Sequence, residues 1–491
     1  MKCFFFGVLW IVVGPLIGHG FNGEVEEVYY WKKVIYENLP LDKDAYIGPY
    51  RYFTPTNNNV LGVGYHASSG IMIVAMGRLR SGIPATLAAF CTSDYPMGST
   101  PAIWGFPDYQ KNTLKASFYE QSQNYYRNLE TTNPVKYSPG YYQYFFGNIQ
   151  EEEQDDTRKL SHIQRPLEDF NIISVYYPNV DDQCNRLYII DTGFLYYGPS
   201  YQYSVQNPAI IVFDLQPNCC QTRNFPLIRR VEIPNNLWKN PVGFQYITPD
   251  YQGKDCDDVY LYITNCYDNN IIVYDYKREK FWSFTDPSMN PVIAESRMVY
   301  KNDIYYDLPI GIINVALGWP DKHGNKIAYY APGASFGEYA VSTKVLKDSR
   351  RSYKKNYGDF FMLGYRGCNT QGFKQTFDPN TGVIFFAQMQ SKKILCWNVR
   401  NPLNADTVGV VYESENLLFV TDIFIDSDNY LWFHSNAVPI YYLSDKPLDL
   451  TEINARSFRV NAFDSIRGTV CDSSVYTRGL YFNNSSEHYD N

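Results

Sequence analysis

One recurring pattern limits the folds open to this chain more than any other feature. It is a pair of apolar stretches separated by a short polar or glycine-containing break. Each pair is rich in Val, Ile, Tyr and Phe, alternates partly with period two and has turn residues at its borders, which is typical of paired strands rather than helices. The pattern occurs six times, in residues 70–90, 185–215, 259–276, 326–343, 382–399 and 429–443. The chain is therefore predicted to be all-β.

The spacing of these pairs suggests one structural unit repeated with variable loops. Units of four strands arranged around an axis form a β-propeller, in which ring closure leaves only short sheet edges. Six units predict a six-bladed β-propeller over residues 21–472, followed by a polar tail over 473–491. The alternative is two unrelated β-domains, although no Pro/Gly/Ser-rich linker divides the chain.

A long insertion interrupts the repeat at about residues 113–170. It is rich in Tyr, Gln and Asn and ends in an acidic run, without strand or helix periodicity, so it is either functional or disordered. Its tyrosines make cross-linking between chains a further expectation. They are Tyr119, Tyr125, Tyr126, Tyr137, Tyr141, Tyr142 and Tyr144.

The first 20 residues have the features of a secretory signal peptide. Lys2 precedes an apolar run and small residues, with cleavage expected near Gly20. The run is shorter than the roughly 20 residues that a bilayer requires, which disfavours an uncleaved anchor. We therefore expect a secreted, extracellular protein with no membrane partner. Asn-x-Ser sequons in the tail predict glycosylation at Asn483 and Asn484.

Loss of the signal segment leaves nine of the ten cysteines. In an oxidising compartment most of them should pair, and an odd number predicts at least one free or intermolecular thiol. No cysteine spacing matches a zinc site.

Charge and motifs exclude several functions. The net charge of −8 gives no support for a nucleic-acid partner. The chain has no HExxH, GxSxG, phosphate-binding loop or dinucleotide motif, so we expect no metal and no cofactor and have no catalytic residues to name. The Asp-rich segments 378–382 and 426–432 are interpreted as turns rather than calcium loops.

The propeller axis is the place where a ligand would bind. Inner strands converge there, and cavities lined by aromatic residues with a few polar groups are the usual sites for small ligands. Tyr and Trp faces also attract ammonium groups. Aromatic residues make up 17% of this chain, so a small aromatic amine or catechol is the expected partner. The alternative is a channel filled by water and side chains.

Several segments resemble the Yellow and major royal jelly protein family of secreted insect proteins. They cover almost the whole mature chain in the expected order. They are RLRSGIPATLAAF (78–90), FPDYQKN (106–112), DQCNRLYIIDTG (182–193), YAVSTKVLKD (339–348), GYRGCNTQ (364–371), TGVIFFAQMQSKKILCWN (381–398) and IDSDNYLWFHSNAVP (425–439).

The resemblance implies a six-bladed propeller and a disulfide between Cys256 and Cys396. Cys184 would then need another partner, which could be Cys91, Cys219 or Cys220. The matched segments also suggest a set of residues near the channel, for each of which structural packing is the competing interpretation. These residues are Thr343, Arg366, Gln371, Trp397 and Asn398.

Family precedent offers three functions. The first is a non-catalytic secreted propeller of cuticle, eggshell or pigment-related extracellular matrix, with matrix proteins as partners and an aromatic amine as ligand. The second is a dopachrome-converting enzyme of melanin formation. If the protein is an enzyme, this is the activity that we expect. The third is a salivary protein that binds biogenic amines. Fold membership alone does not choose among them.

Overall fold

The computed structural model describes residues 23–118, 170–196, 202–300, 304–352, 358–444 and 446–472. The signal segment, both glycosylation sites and most of the Tyr-rich insertion, at 119–169, lie outside the described residues. The cross-linking and glycosylation expectations therefore stay predictions, as do the domain limits 21–472.

Six blade sheets surround one axis, which confirms the predicted six-bladed β-propeller. Five of them are antiparallel and four-stranded, and the first blade has four antiparallel strands with the short strand Ile35–Tyr36 added parallel at its outer edge. The N-terminal segment and the first blade contain β1 (Glu26–Trp31), β2 (Ile35–Tyr36), β3 (Tyr46–Ile47), β4 (Tyr50–Arg51), β5 (Gly62–His66), β6 (Ile71–Ala75), β7 (Leu87–Cys91) and β8 (Ala102–Gly105). The second blade and its added hairpin contain β9 (Asn179–Asp181), β10 (Arg186–Asp191), β11 (Phe194–Tyr196), β12 (Gln202–Ser204), β13 (Ala209–Asp214) and β14 (Leu227–Glu232).

The remaining blades follow the same order from the axis outward. The third blade contains β15 (Phe244–Tyr251), β16 (Val259–Asn265), β17 (Asn270–Asp275) and β18 (Lys280–Thr285), followed by the hairpin β19 (Arg297–Tyr300) and β20 (Ile304–Asp307). The fourth contains β21 (Ile312–Leu317), β22 (Ile327–Pro332), β23 (Gly337–Ser342) and β24 (Phe360–Tyr365). The fifth and sixth contain β25 (Gly372–Asp378), β26 (Val383–Gln388), β27 (Lys393–Asn398), β28 (Val408–Glu413), β29 (Val420–Ile425), β30 (Tyr430–Asn436) and β31 (Ala455–Asn461).

Helices are short and confined to connections in the part of the chain that is described. The α-helices are α1 (Tyr109–Asn112), α2 (Cys219–Thr222), α3 (Thr343–Leu346) and α4 (Ala462–Ile466). The 3₁₀ turns are Pro55–Asn57, Thr92–Asp94, Asn235–Leu237, Pro241–Gly243, Pro287–Met289, Ile293–Glu295 and Ser349–Arg351, and one π-helical turn spans Pro439–Leu443.

The apolar pairs of the sequence are mostly the two middle strands of each blade. Strands β17 and β26, for example, are buried at every position, because neighbouring blades cover both faces of a sheet. The last pair is different. Strand β30 forms as predicted, but residues 439–443 form the π-helical turn, since Pro439 has no N–H to give to a sheet. The partner of β30 is instead β31.

The ring closes by pairing the two ends of the described chain. Strand β1 pairs antiparallel with β31 on the outside of the sixth blade, with Glu26 opposite Arg459. The His434 ring is buried in this sixth blade. Its Nε2 lies 3.0 Å from the carbonyl oxygen of Val60, and its Nδ1 lies 2.9 Å from Ser457 Oγ. Because a carbonyl can only accept, Nε2 carries the proton.

The Asp-rich segments form turns. Asp378 Oδ1 accepts from the Asn380 N–H, and Asp426 Oδ1 accepts from the N–H groups of Asp428 and Tyr430. These carboxylates thus satisfy backbone donors of the turn between the first two strands of a blade.

The disulfides correct the pairing implied by the resemblance. Cys256 bonds to Cys184, and Cys396 bonds to Cys471. The expected Cys256–Cys396 pairing is therefore wrong. Cys256 lies beside the second blade, whereas Cys396 lies in β27 of the fifth blade and faces the C-terminal segment. A third bond joins Cys91 to Cys220, and Cys219 and Cys266 are buried free thiols.

Candidate functional site: an aromatic cavity on the propeller axis

The innermost strands of four blades each have a β-bulge close to their first residues. The register with the neighbouring strand shifts at Phe244/Ile247 in β15, Ile312/Val315 in β21, Gly372/Gln375 in β25 and Val420/Asp422 in β29. A bulge adds a residue and redirects the side chains around it. The repeated bulges place side chains such as Gln245 and Phe373 in the wall of an axial cavity.

The space inside this cavity that the centre of a water-sized molecule can occupy is about 70 Å³. Residues in or next to all six blades, together with the π-helical turn, contribute to its wall. The lining residues are Leu61, Leu79, Tyr176, Tyr177, Val242, Gln245, Cys266, Tyr267, Leu308, Ile310, Phe373, Phe419, Val438, Tyr442 and Leu443. None of these described residues carries a formal charge at neutral pH.

Burial keeps the titratable groups of the wall protonated. It raises the pKa values of the Tyr176, Tyr177, Tyr267 and Tyr442 hydroxyls above the ordinary value. It also raises the pKa of the Cys266 thiol. The wall therefore offers phenol hydroxyls and ring faces, but no carboxylate or imidazole among the described lining residues.

A buried ion pair lies next to the stacked rings of Tyr177, which lines the cavity, and Tyr246. Tyr177 stacks on Tyr246 with ring centres 4.3 Å apart, and the Lys374 ammonium lies 4.6 Å from the centre of the Tyr246 ring. Lys374 Nζ is 2.6 Å from Asp422 Oδ1, while Asp422 Oδ2 accepts from the Val63 N–H at 3.1 Å. Burial raises the pKa of Asp422, and Lys374 opposes that rise.

The five residues suggested by the resemblance do not line this cavity. Arg366 is fully buried, and its guanidinium donates to Glu338 and to the carbonyls of Ser335, Gly337 and Thr370. Every donor that it has is thus engaged within the fourth blade and the loop that follows it.

Gln371 lies near Arg366 but also binds protein groups. Its Nε2 donates to the Glu295 carbonyl at 2.8 Å, and its Oε1 accepts from Gln390 Nε2. Phe373, two residues further on, is the member of this segment that reaches the cavity.

The other three residues lie elsewhere. Thr343 begins α3, and its Oγ1 accepts from the Lys326 N–H at 2.8 Å. Trp397 packs between the fourth and fifth blades and donates to the Asn401 carbonyl, while Asn398 donates to the Cys471 carbonyl. The packing interpretation describes these contacts, and a ligand role for the five residues stays a prediction.

Sequence reasoning missed the aromatic residues of the wall. A signal for them does exist, because Tyr176 and Tyr177, Phe373 and Phe419 each come shortly before an apolar strand pair. Their convergence depends on ring closure, which brings segments as distant as Leu61 and Leu443 to one cavity.

Comparisons with known proteins identify the family of this chain. The family model of major royal jelly protein matches residues 173–471. The chain belongs to the Yellow and major royal jelly protein family. The Yellow-related salivary protein ASP2 of Phlebotomus orientalis is 30% identical over 455 residues, covering 91% of this chain and 94% of that protein.

Two further relatives cover a shorter part of this Yellow-family chain. The Yellow-related salivary protein ASP4 of Phlebotomus orientalis is 37% identical over 324 residues, which is 65% of this chain and 79% of the relative. The L-dopachrome tautomerase yellow-f of Drosophila melanogaster is 33% identical over 305 residues, which is 62% and 68%. Two of these three relatives are thus named as salivary proteins, and the third is named as an enzyme.

Proposed function

We propose that this Yellow-family propeller is a secreted, non-catalytic protein that binds a small aromatic amine or catechol in its axial cavity. The observation that supports the proposal is the cavity wall, to which Tyr177 and Phe373 contribute aromatic rings. Aromatic rings stack on other rings and attract cations at their faces. The salivary names of several relatives support secretion. In the described part of the chain, no helix is long and apolar enough to cross a bilayer.

Calorimetry with serotonin, dopamine and histamine tests the proposal. We expect serotonin and dopamine to bind with micromolar or lower Kd, and histamine to bind more weakly because its ring is smaller. Phe373→Leu removes one ring from the wall and should weaken dopamine binding about 2- to 10-fold, the range expected for an aromatic pair. Phe361→Leu is the matched control, since Phe361 is 43% exposed on the outer strand β24. Absence of heat with all three amines would refute the proposal.

The relative named L-dopachrome tautomerase supports a second candidate function. Tautomerisation requires one group to remove a proton and another to return one. The titratable groups of the described wall are phenols and a thiol whose pKa values are raised, so none is suited to accept a proton near neutral pH. We therefore expect dopachrome to rearrange at its spontaneous rate with the purified protein. A rate above that background would favour the enzyme instead.

A role in cuticle, eggshell or pigment-related matrix also belongs to the proposal, with matrix proteins as partners. Its motive is the Tyr-rich insertion, whose residues 119–169 lie outside the described part of the chain. Oxidative cross-linking would leave dityrosine in hydrolysed peptides of the native matrix. Peptides of this segment without dityrosine would count against that role.

A further inference from the structure

We infer that two copies of this chain associate edge to edge through β24, the outer strand of the fourth blade. The two β24 strands pair antiparallel about a two-fold axis, so that the fourth blades of both copies form one continuous sheet. The partner is therefore a second copy of the same chain. This interface does not involve the axial cavity, and the inference is independent of the proposed function.

The first argument is the composition of β24 compared with the other outer strands. An outer strand presents unpaired backbone N–H and C=O groups, and charged side chains usually protect such an edge from pairing with another chain. The outer strands of the second, third, fifth and sixth blades all contain charged residues, which are Arg229, Arg230 and Glu232 in β14, Lys280 in β18, Glu413 in β28, and Glu26 and Glu27 in β1. The first blade ends in β2, which has only two residues. Strand β24 has the sequence FFMLGY, without a charged residue.

The second argument is that β24 exposes large apolar side chains on both faces of its sheet. Phe361 is 43% exposed and Met362 is 40% exposed. Because consecutive residues of a strand point to opposite faces, neither face of the blade covers this edge completely. Tyr365 at the end of the strand is 59% exposed. An exposed apolar edge of this kind favours the addition of another strand.

The third argument is that the central part of this edge is open. Gly364 forms an isolated bridge to Leu403, whose carbonyl oxygen fills the space where a side chain at position 364 would lie. In the described part of the chain, residues 360–363 have a strand partner only on the β23 side. A two-fold axis in the middle of this segment, at residue 361 or 362, keeps equivalent side chains on the same face. The two Phe361 side chains are then directly or diagonally opposite each other.

The same composition identifies a second copy as the partner. The outer strand of any other blade longer than β2 would bring charged side chains into the pairing, and burial of a charge without a counter-ion costs free energy. A second β24 brings only uncharged side chains, and two-fold symmetry lets one patch serve both copies. Four residues from each copy make a small interface, whereas stable complexes bury about 800 Å² per partner. The dimer is therefore weak, with a Kd in the micromolar range.

Sedimentation velocity of the full chain, from submicromolar to millimolar concentration, tests the inference. We expect the wild type to shift from monomer to dimer as its concentration rises. Phe361→Lys and Phe361→Glu should each raise the Kd at least about tenfold, because like charges then meet across the strand pair. Phe463→Lys is the control, since Phe463 is 52% exposed on α4. A wild type that stays monomeric throughout, or a dimer that persists in both Phe361 variants, would overturn the inference.

A mixture of the two Phe361 variants tests the pairing itself. In a two-fold antiparallel pair, the lysine of one variant lies beside the glutamate of the other, and opposite charges across a strand pair attract. Association that each variant loses alone should therefore return in the equimolar mixture. Recovery would also show that both variants are folded. Loss of association in both variants without recovery on mixing would overturn the inference.

Discussion

Arg366 and Glu338 form an ion pair in which both side chains are fully buried, with Nη1 2.5 Å from Oε2. Glu338 also accepts from Gln375 of the fifth blade, so the pair connects the fourth and fifth blades. Burial raises the pKa of Glu338 to about 7, against the opposing effect of Arg366. This pair occupies the position at which the family resemblance suggested a ligand contact.

Replacement of Arg366 should therefore affect folding rather than binding. Arg366→Met leaves a buried carboxyl group and several carbonyls without their donor, and we expect the free energy of unfolding to fall by about 3–5 kcal/mol. Arg350→Met is the control, because Arg350 pairs with Asp348 at the surface. Denaturant unfolding measures both changes. Weaker amine binding by a variant of unchanged stability would instead identify Arg366 as a ligand contact.

His434 should make the protein sensitive to acid. Burial lowers the pKa of its imidazole to about 4 from 6.5, so the unfolded chain binds a proton more readily than the folded one. The stability that depends on neutral His434 is present above pH 6.5 and is lost as the pH falls towards 4. The loss should be roughly 3 kcal/mol, at about 1.4 kcal/mol for each pKa unit.

His434→Gln removes this titrating group. The unfolding free energy of the variant should therefore change less between pH 6.5 and pH 4 than that of the wild type. The comparison with wild type isolates one group from the other acids of the chain. Equal pH profiles for the two proteins would show that His434 does not titrate in this range.

The disulfide arrangement predicts particular linked peptides. Digestion without reduction should yield a Cys184–Cys256 peptide and a Cys396–Cys471 peptide. A double change of Cys396 and Cys471 to Ala should lower the free energy of unfolding by about 2–5 kcal/mol, because the bond joins residues 75 positions apart. A peptide linking Cys256 to Cys396 would contradict the structure.

Cys266 should report on occupation of the cavity if the proposed ligand binds there. Its thiol lies in the wall and its pKa is raised, so alkylation by iodoacetamide should be slow at neutral pH. Saturating dopamine should slow it further. Cys219 is the internal control, since it is also a buried free thiol and packs between the first and second blades. Site-resolved mass spectrometry that finds equal protection of both thiols would show that dopamine binds elsewhere or stabilises the whole fold.

The sequence alone determined the all-β class, the number of blades and their order. The reason is local, because a strand covered on both faces must be apolar along its length, and β17 and β26 show that pattern without reference to distant residues. This reasoning assigned residues 439–443 to a strand, but they form the π-helical turn, and Tyr442 and Leu443 line the axial cavity.

Only the tertiary structure decided which residues form the site and which cysteines pair. Tyr177, Cys266, Phe373 and Tyr442 are far apart in the chain and meet because the ring closes through β1 and β31. The bulges that turn Gln245 and Phe373 towards the axis arise from strand pairing, which no local motif specifies. Arg366 is the opposite case, because it lies in a motif that the sequence shows clearly but does not line the cavity. Its guanidinium instead donates to backbone carbonyls and to the Glu338 carboxylate inside the fold.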